Sequence, residues 1–269
     1  MSNDYILKFK WRPYERLKDF ALIADQDYNL GNRGDWYLQF IKGWEGLMAR
    51  VHGVGIHYHE VHAWTLPKLP LDVEYHLSSI LFNMDSAVEC MVYTLNALGY
   101  IASSTQFLDI NDDKKLREIS PYNIMGKPPD FKKGFVLGYD NYFPSMKSYY
   151  QENRDLLLKI FEQHHVSKHR SSIYEDSTHR IDPPPGVFER WGYVDSKNNP
   201  VWLSPMAKIL LIPEPKTPWR QRKPEDYKDI DTLEEIAEKF CKFINVCGEK
   251  TIEDAHDHIK LNHYQLLKR

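Results

Sequence analysis

The chain has little cysteine, no long apolar run and no excess of charge of either sign. Cys90, Cys241 and Cys247 are its only cysteines, and their odd number and spacing signal neither a disulfide framework nor a four-thiolate zinc site. A reducing, cytoplasmic setting follows as an expectation. No stretch approaches the roughly 18 consecutive apolar residues of a membrane-spanning helix. The first eleven residues mix Asp4, Lys8 and Lys10 into a short apolar segment, so a soluble, non-exported protein with no membrane partner is expected. A net charge of −3 argues against coating by nucleic acid through bulk electrostatics, and leaves room for a local basic patch. Also missing are Gly-x-Ser-x-Gly, a Walker loop and a dinucleotide fingerprint.

What the chain does have is helical periodicity. Leu77, Leu81, Met84, Val88, Met91, Leu95 and Leu98 alternate in steps of four and three, which predicts a core helix over residues 71 to 101. The same step through Tyr37, Ile41, Trp44, Met48, Val51, Gly55, Tyr58 and His62, with Asp35 as N-cap, predicts a second long helix antiparallel to the first. Gly43, Gly46 and Gly53 weaken that helix or admit a close neighbour, and a break at Gly53 into a strand is the rival reading. A third helix is expected from about residue 145 to 174. Upstream, the alternation Tyr5, Leu7, Phe9, Trp11 suggests a short strand, and the polar stretch after Gly99 a surface loop.

Nine of the sixteen prolines lie between Pro183 and Pro224, so that segment does not continue the bundle. Residues 190 to 194 and 201 to 203 flank a polar turn and read as a β-hairpin, followed by a strand from Ile209 to Ile212. Thr232 and Glu235 form a capping box for a helix ending near Gly248, with another helix starting at Thr251. The expected class is α+β, mainly α: an antiparallel long-helix bundle over residues 1–180, a proline-rich β-hairpin segment over 181–225, and C-terminal helices over 226–269. The heptads also suggest a homodimer, since apolar seams bury against each other or against a second subunit.

Twelve histidines raise the question of metal. His57, His59 and His62 with Glu60, then His164, His165 and His169, and finally His256, His258 and His263 form three groups. Along one helix only pairs three or four residues apart share a face, so each group offers two ligands, and none reproduces His-Glu-x-x-His. No metal and no cofactor is therefore expected. Asp85, Glu89 and Asn96 make a polar stripe on the central helix, either a solvated face or a carboxylate pair able to exchange protons. Lys216, Trp219, Arg220 and Arg222 place basic donors around an aromatic ring beside a Pro-x-x-Pro segment, as a contact for RNA or a protein partner requires.

The densest basic turn is residues 164 to 170, which contains His165, Lys168, His169 and Arg170. This Ser-Lys-His-Arg cluster in a late helix resembles the motif region of HEPN-like helical families, many of which are metal-independent ribonucleases of toxin and defence systems. The resemblance covers about a helix and a half. It departs from the family's Arg-x(4–6)-His spacing, because Arg154 lies too far before His164 and Arg170 too far before His179. The spacing occurs from Arg50 to His57, in an early helix rather than a late one. What the resemblance implies is RNA cleavage, with His165 or His169 transferring the proton and Arg170 steadying the phosphate. The reading from composition and motifs alone is a binding or assembly module, because helix signals are strong and catalytic motifs absent.

Overall fold

The structure, a computed structural model, describes residues 7–27, 35–63, 70–169, 174–176, 209–211 and 231–260. It is mainly helical. The principal helices are α1 (Arg12–Asp27), α2 (Trp36–Ala63) and α3 (Pro70–Ala102). Three short helices follow, α4 (Asp113–Leu116), α5 (Tyr122–Met125) and α6 (Gly138–Tyr142), and then α7 (Pro144–Glu152), α8 (Arg154–His169) and α9 (Leu233–His258). Tyr174–Asp176, Ile209–Leu211 and Asp231–Thr232 are short extended segments paired antiparallel in that order. No described helix is long and apolar enough to cross a membrane. The hairpin expected over residues 190 to 203 lies outside the described residues.

Helix α3 follows the predicted span, and all seven residues of its seam are at most 2% exposed. That seam is covered within the chain itself, so it no longer argues for a homodimer. Helix α2 is continuous through Gly53, as its periodicity indicates; Val51 and Tyr58 of the predicted face are buried, but the other buried positions are shifted by one residue. Trp36, Phe40, Leu47, Val51, Val54, Tyr58 and Val61 are buried, whereas Tyr37, Ile41, Trp44 and Met48 are half-buried. The glycines explain the offset. A Cβ on Gly43 would lie 2.5 Å from Thr94 Oγ1 and one on Gly53 would lie 2.9 Å from Asn83, so the glycine row belongs to the face laid antiparallel against α3. The aromatic row instead meets α1, where Trp44 Nε1 donates to the Tyr14 carbonyl at 2.9 Å.

Residues 7–11 are not the expected strand, and a helix that the sequence reading did not anticipate, α1, follows them. Pro13 sits in the first helical turn, where a missing N–H costs nothing. Behind it Tyr14, Leu17, Phe20, Ala21 and Ala24 are buried at helical spacing. The Tyr14 hydroxyl donates to the Ile244 carbonyl at 2.6 Å. That contact explains a second correction. Gly248 does not end a helix, because α9 runs on to His258, and a Cβ at Gly248 would lie 2.7 Å from the Tyr14 ring. The expected capping box does open α9: Thr232 N donates to Glu235 Oε2 at 2.9 Å and Glu235 N to Thr232 Oγ1 at 3.2 Å.

The third expected helix is two. Asn153, with φ −99° and ψ 13°, separates α7 from α8, and its Nδ2 donates back to the Tyr149 carbonyl at 2.9 Å. The amide side chain thus competes with the helical ladder, as Asn does readily. Asp254 Oδ2 accepts from Met146 N at 2.8 Å, so α9 satisfies an orphan N–H at the start of α7. The polar stretch after α3 lies at the surface over residues 111–118, where it forms α4, but Phe107 and Ile110 before it and Ile124 and Met125 after it are buried.

Two compact units are distinguishable. One is formed by the described residues of Gly53–Asn83 and Leu158–Phe240, the other by those of Lys8–His52, Met84–Leu157 and Cys241–Arg269.

Candidate binding groove

Within the first unit, the opening turns of α3 have two chemically different faces. Leu77, Ile80 and Leu81 are fully buried, and the opposite side carries Glu74, Tyr75, Ser78, Ser79 and Phe82. The last turns of α8 present His164, Ser167 and Lys168 to that side, and the two rows line an open groove of about 540 Å³. Its floor is a hydroxyl pair, Ser78 Oγ to Ser167 Oγ at 2.6 Å. Two small hydroxyl side chains let the helices approach there and satisfy each other's polar atoms. Ser78 also lies 3.4 Å from Glu74 Oε1, at the long end of hydrogen bonding. The walls are aromatic. Tyr75 is 64% exposed and Phe82 40%, and the Phe82 ring meets His164 nearly edge-on at 5.6 Å.

The basic turn read from the sequence therefore contributes directly to the groove through His164 and Lys168. His165, on the next helical position, is exposed. His169 closes α8, its side chain lying outside the described residues together with Arg170, Lys216, Trp219, Arg220 and Arg222. The polar stripe goes elsewhere. Asp85, Glu89 and Asn96 belong to the second unit, with Asp85 half-buried and Glu89 exposed. Asn96 is buried and fully committed to the main chain of Leu108, donating from Nδ2 to its carbonyl at 2.9 Å and accepting from its N–H at 3.1 Å.

The histidine groups separate. His59 is exposed, and His62 is held by its neighbours: Nδ1 lies 2.8 Å from the Tyr58 carbonyl and Nε2 2.9 Å from Glu234 Oε1. Both ring nitrogens thus face oxygen atoms of neighbouring groups. Burial pushes the Glu234 carboxyl up, but the hydrogen bond from His62, together with those from its own main chain and from Thr232, outweighs it and holds the carboxyl below its usual range. A depressed carboxylate contributes stability that is present above its unfolded value and lost as pH falls through its folded value. The His62 side chain is 6% exposed and that of Glu234 26%, so His62→Ala leaves a largely buried carboxylate without its hydrogen-bond donor. It is expected to cost about 2 kcal/mol in urea unfolding at pH 7, and the cost should shrink below pH 4. An equal cost at both pH values would contradict this assignment.

His256 packs edge-on to Phe20 at 5.1 Å, and His263 lies outside the described residues. Among the described residues no group of three or more metal-ligating side chains forms. His57 instead faces His76 of α3, a partner that helix spacing does not disclose. Tyr75 and Phe82 were also missed by sequence reading. A signal existed for them, since Tyr75 and Phe82 are seven residues apart and both lie off the apolar seam. Comparison of the chain with protein families, with curated proteins and with solved structures finds no match.

Proposed function

We propose that the protein is a binding module whose groove between α3 and α8 takes a short single-stranded segment of RNA. The observation that supports this reading is the juxtaposition of two exposed aromatic rings, Tyr75 and Phe82, with Lys168 and His164 along one groove. Bases stack on aromatic faces regardless of sequence, and a cation beside them holds phosphate. Serine hydroxyls on the floor and rim add donors and acceptors for sugar or base edges. A homodimer is not required by this reading, because the seam that suggested one is buried within the chain.

The chain's slight acidity shapes the prediction. With Lys168 and, when protonated, His164 as the groove's cations, binding relies on stacking more than on phosphate neutralisation. The expected result is binding of a labelled oligouridine in EDTA, with log K falling against log salt at a slope of only about −0.7 to −1.4, one or two phosphates' worth. Absence of binding at low salt, or a slope steeper than about −3, which means four or more phosphates, would overturn this reading.

A second reading uses the same groove for metal-independent cleavage of RNA. It is favoured by the contribution of His164 and Lys168 to the groove wall, where an imidazole able to move a proton and a cation line the same groove. In this reading His165 or His169 moves the proton and Arg170 steadies the phosphate. Cleavage in EDTA by wild type, lost in His169→Ala and Arg170→Ala, would establish it. Binding without cleavage would leave the module alone.

A further inference from the structure

His57 on α2 and His76 on α3 bring Nδ1 to within 3.0 Å of Nδ1. Their ring centroids are 5.2 Å apart at an interplanar angle of 50°, and Tyr75 stands edge-on to His57 at 6.0 Å and to His76 at 5.2 Å. Two nitrogen lone pairs at this separation repel unless something electrophilic lies between them. In the apo protein a single proton does this, with one Nδ1–H donating to the other Nδ1.

A metal ion fits the same place. With metal–imidazole bonds of about 2.05 Å, a 3.0 Å separation subtends an angle of about 94° at the ion, between the octahedral and tetrahedral values. We infer that His57 and His76 form a bis-imidazole site for a borderline-soft divalent ion such as Zn²⁺, bridging α2 to α3. This departs from the expectation of no metal, which rested on each histidine group offering only two ligands along one helix; here too the protein supplies two, but from two helices brought face to face.

The chemistry is balanced by tautomerism. The donor ring moves its proton from Nδ1 to Nε2, both Nδ1 atoms then donate lone pairs, and the neutral pair loses no proton to solvent. Burial lowers the affinity of His57 for a proton, as does His76 beside it, while Glu60 opposes them. Of the titratable groups facing His57, Glu60 comes from its own helix and Tyr75 and His76 from α3. The carboxylate of Glu60 adds a favourable field for a cation. With only two protein ligands, water completes the coordination shell.

The test is titration of the EDTA-treated, dialysed full chain with Zn²⁺ at pH 7.5 by calorimetry. The tightest event is expected at one ion per chain, with hydrogen exchange slowed around residues 57 and 76 on both helices. His57→Gln and His76→Gln, chosen to preserve size and polarity, should each weaken that event at least about tenfold, whereas exposed His59→Ala should leave it unchanged. No binding, or a tightest event unchanged in both glutamine variants, would overturn the inference.

Discussion

Phe107→Ala is expected to be the most destabilising single change in the second unit, at about 3–5 kcal/mol. The ring is buried and meets Tyr139, Tyr142 and Phe143 at centroid distances of 5.2, 5.9 and 6.2 Å. Its tip lies against two glycines: a Cβ on Gly99 or on Gly138 would come within 2.2 Å of it. The ring therefore occupies space that α3 and α6 both leave open, and truncation creates a cavity that neither backbone closes easily. A native domain has only about 5–15 kcal/mol in hand, so the variant should unfold at markedly lower urea concentration. Gly99→Ala should also destabilise wild type, and cost much less in the Phe107→Ala background, because the clash and the cavity cancel. Additive effects of the two substitutions would contradict the wedge.

The second large effect concerns the groove. Replacing both Tyr75 and Phe82 by alanine is expected to weaken single-stranded RNA binding at least about 30-fold, since each stacked base contributes about 1–3 kcal/mol. Both side chains are substantially exposed, so unfolding by heat should change little. Fluorescence anisotropy with the oligouridine measures the first quantity and calorimetric melting the second. Loss of binding together with loss of fold would not support stacking, and unchanged binding would exclude these rings from the contact.

Much of this arrangement was legible before the structure, for local reasons. The α3 seam and the Thr232–Glu235 capping box depend on residues close in the chain, and both follow the pattern their spacing implies. Helix α2 shows where local reading stops. Its two rows, glycine and aromatic, both suit burial, and only its two different neighbours decide that glycine faces α3 and Trp44 faces α1. Helix α1 was hidden because Pro13 reads as a breaker unless it is known to stand in the first turn. Phe107 was hidden in a polar stretch, where one ring fills a gap that distant glycines create. For the groove, the 164–170 turn stood out by composition, but nothing local announces that Ser167 meets Ser78, or that His57 meets His76. These are contacts between helices, made where register rather than sequence spacing sets the pairing.

The account's central claim is that the groove lined by Tyr75, Phe82, His164 and Lys168 is where a ligand binds. Photo-cross-linking of 4-thiouridine RNA to the full chain, followed by mass spectrometry of the attached peptides, tests it most directly. The account predicts adducts on Tyr75 or Phe82, suppressed by excess unlabelled oligouridine. Competed adducts confined to other segments, such as the Trp219 region, would contradict it.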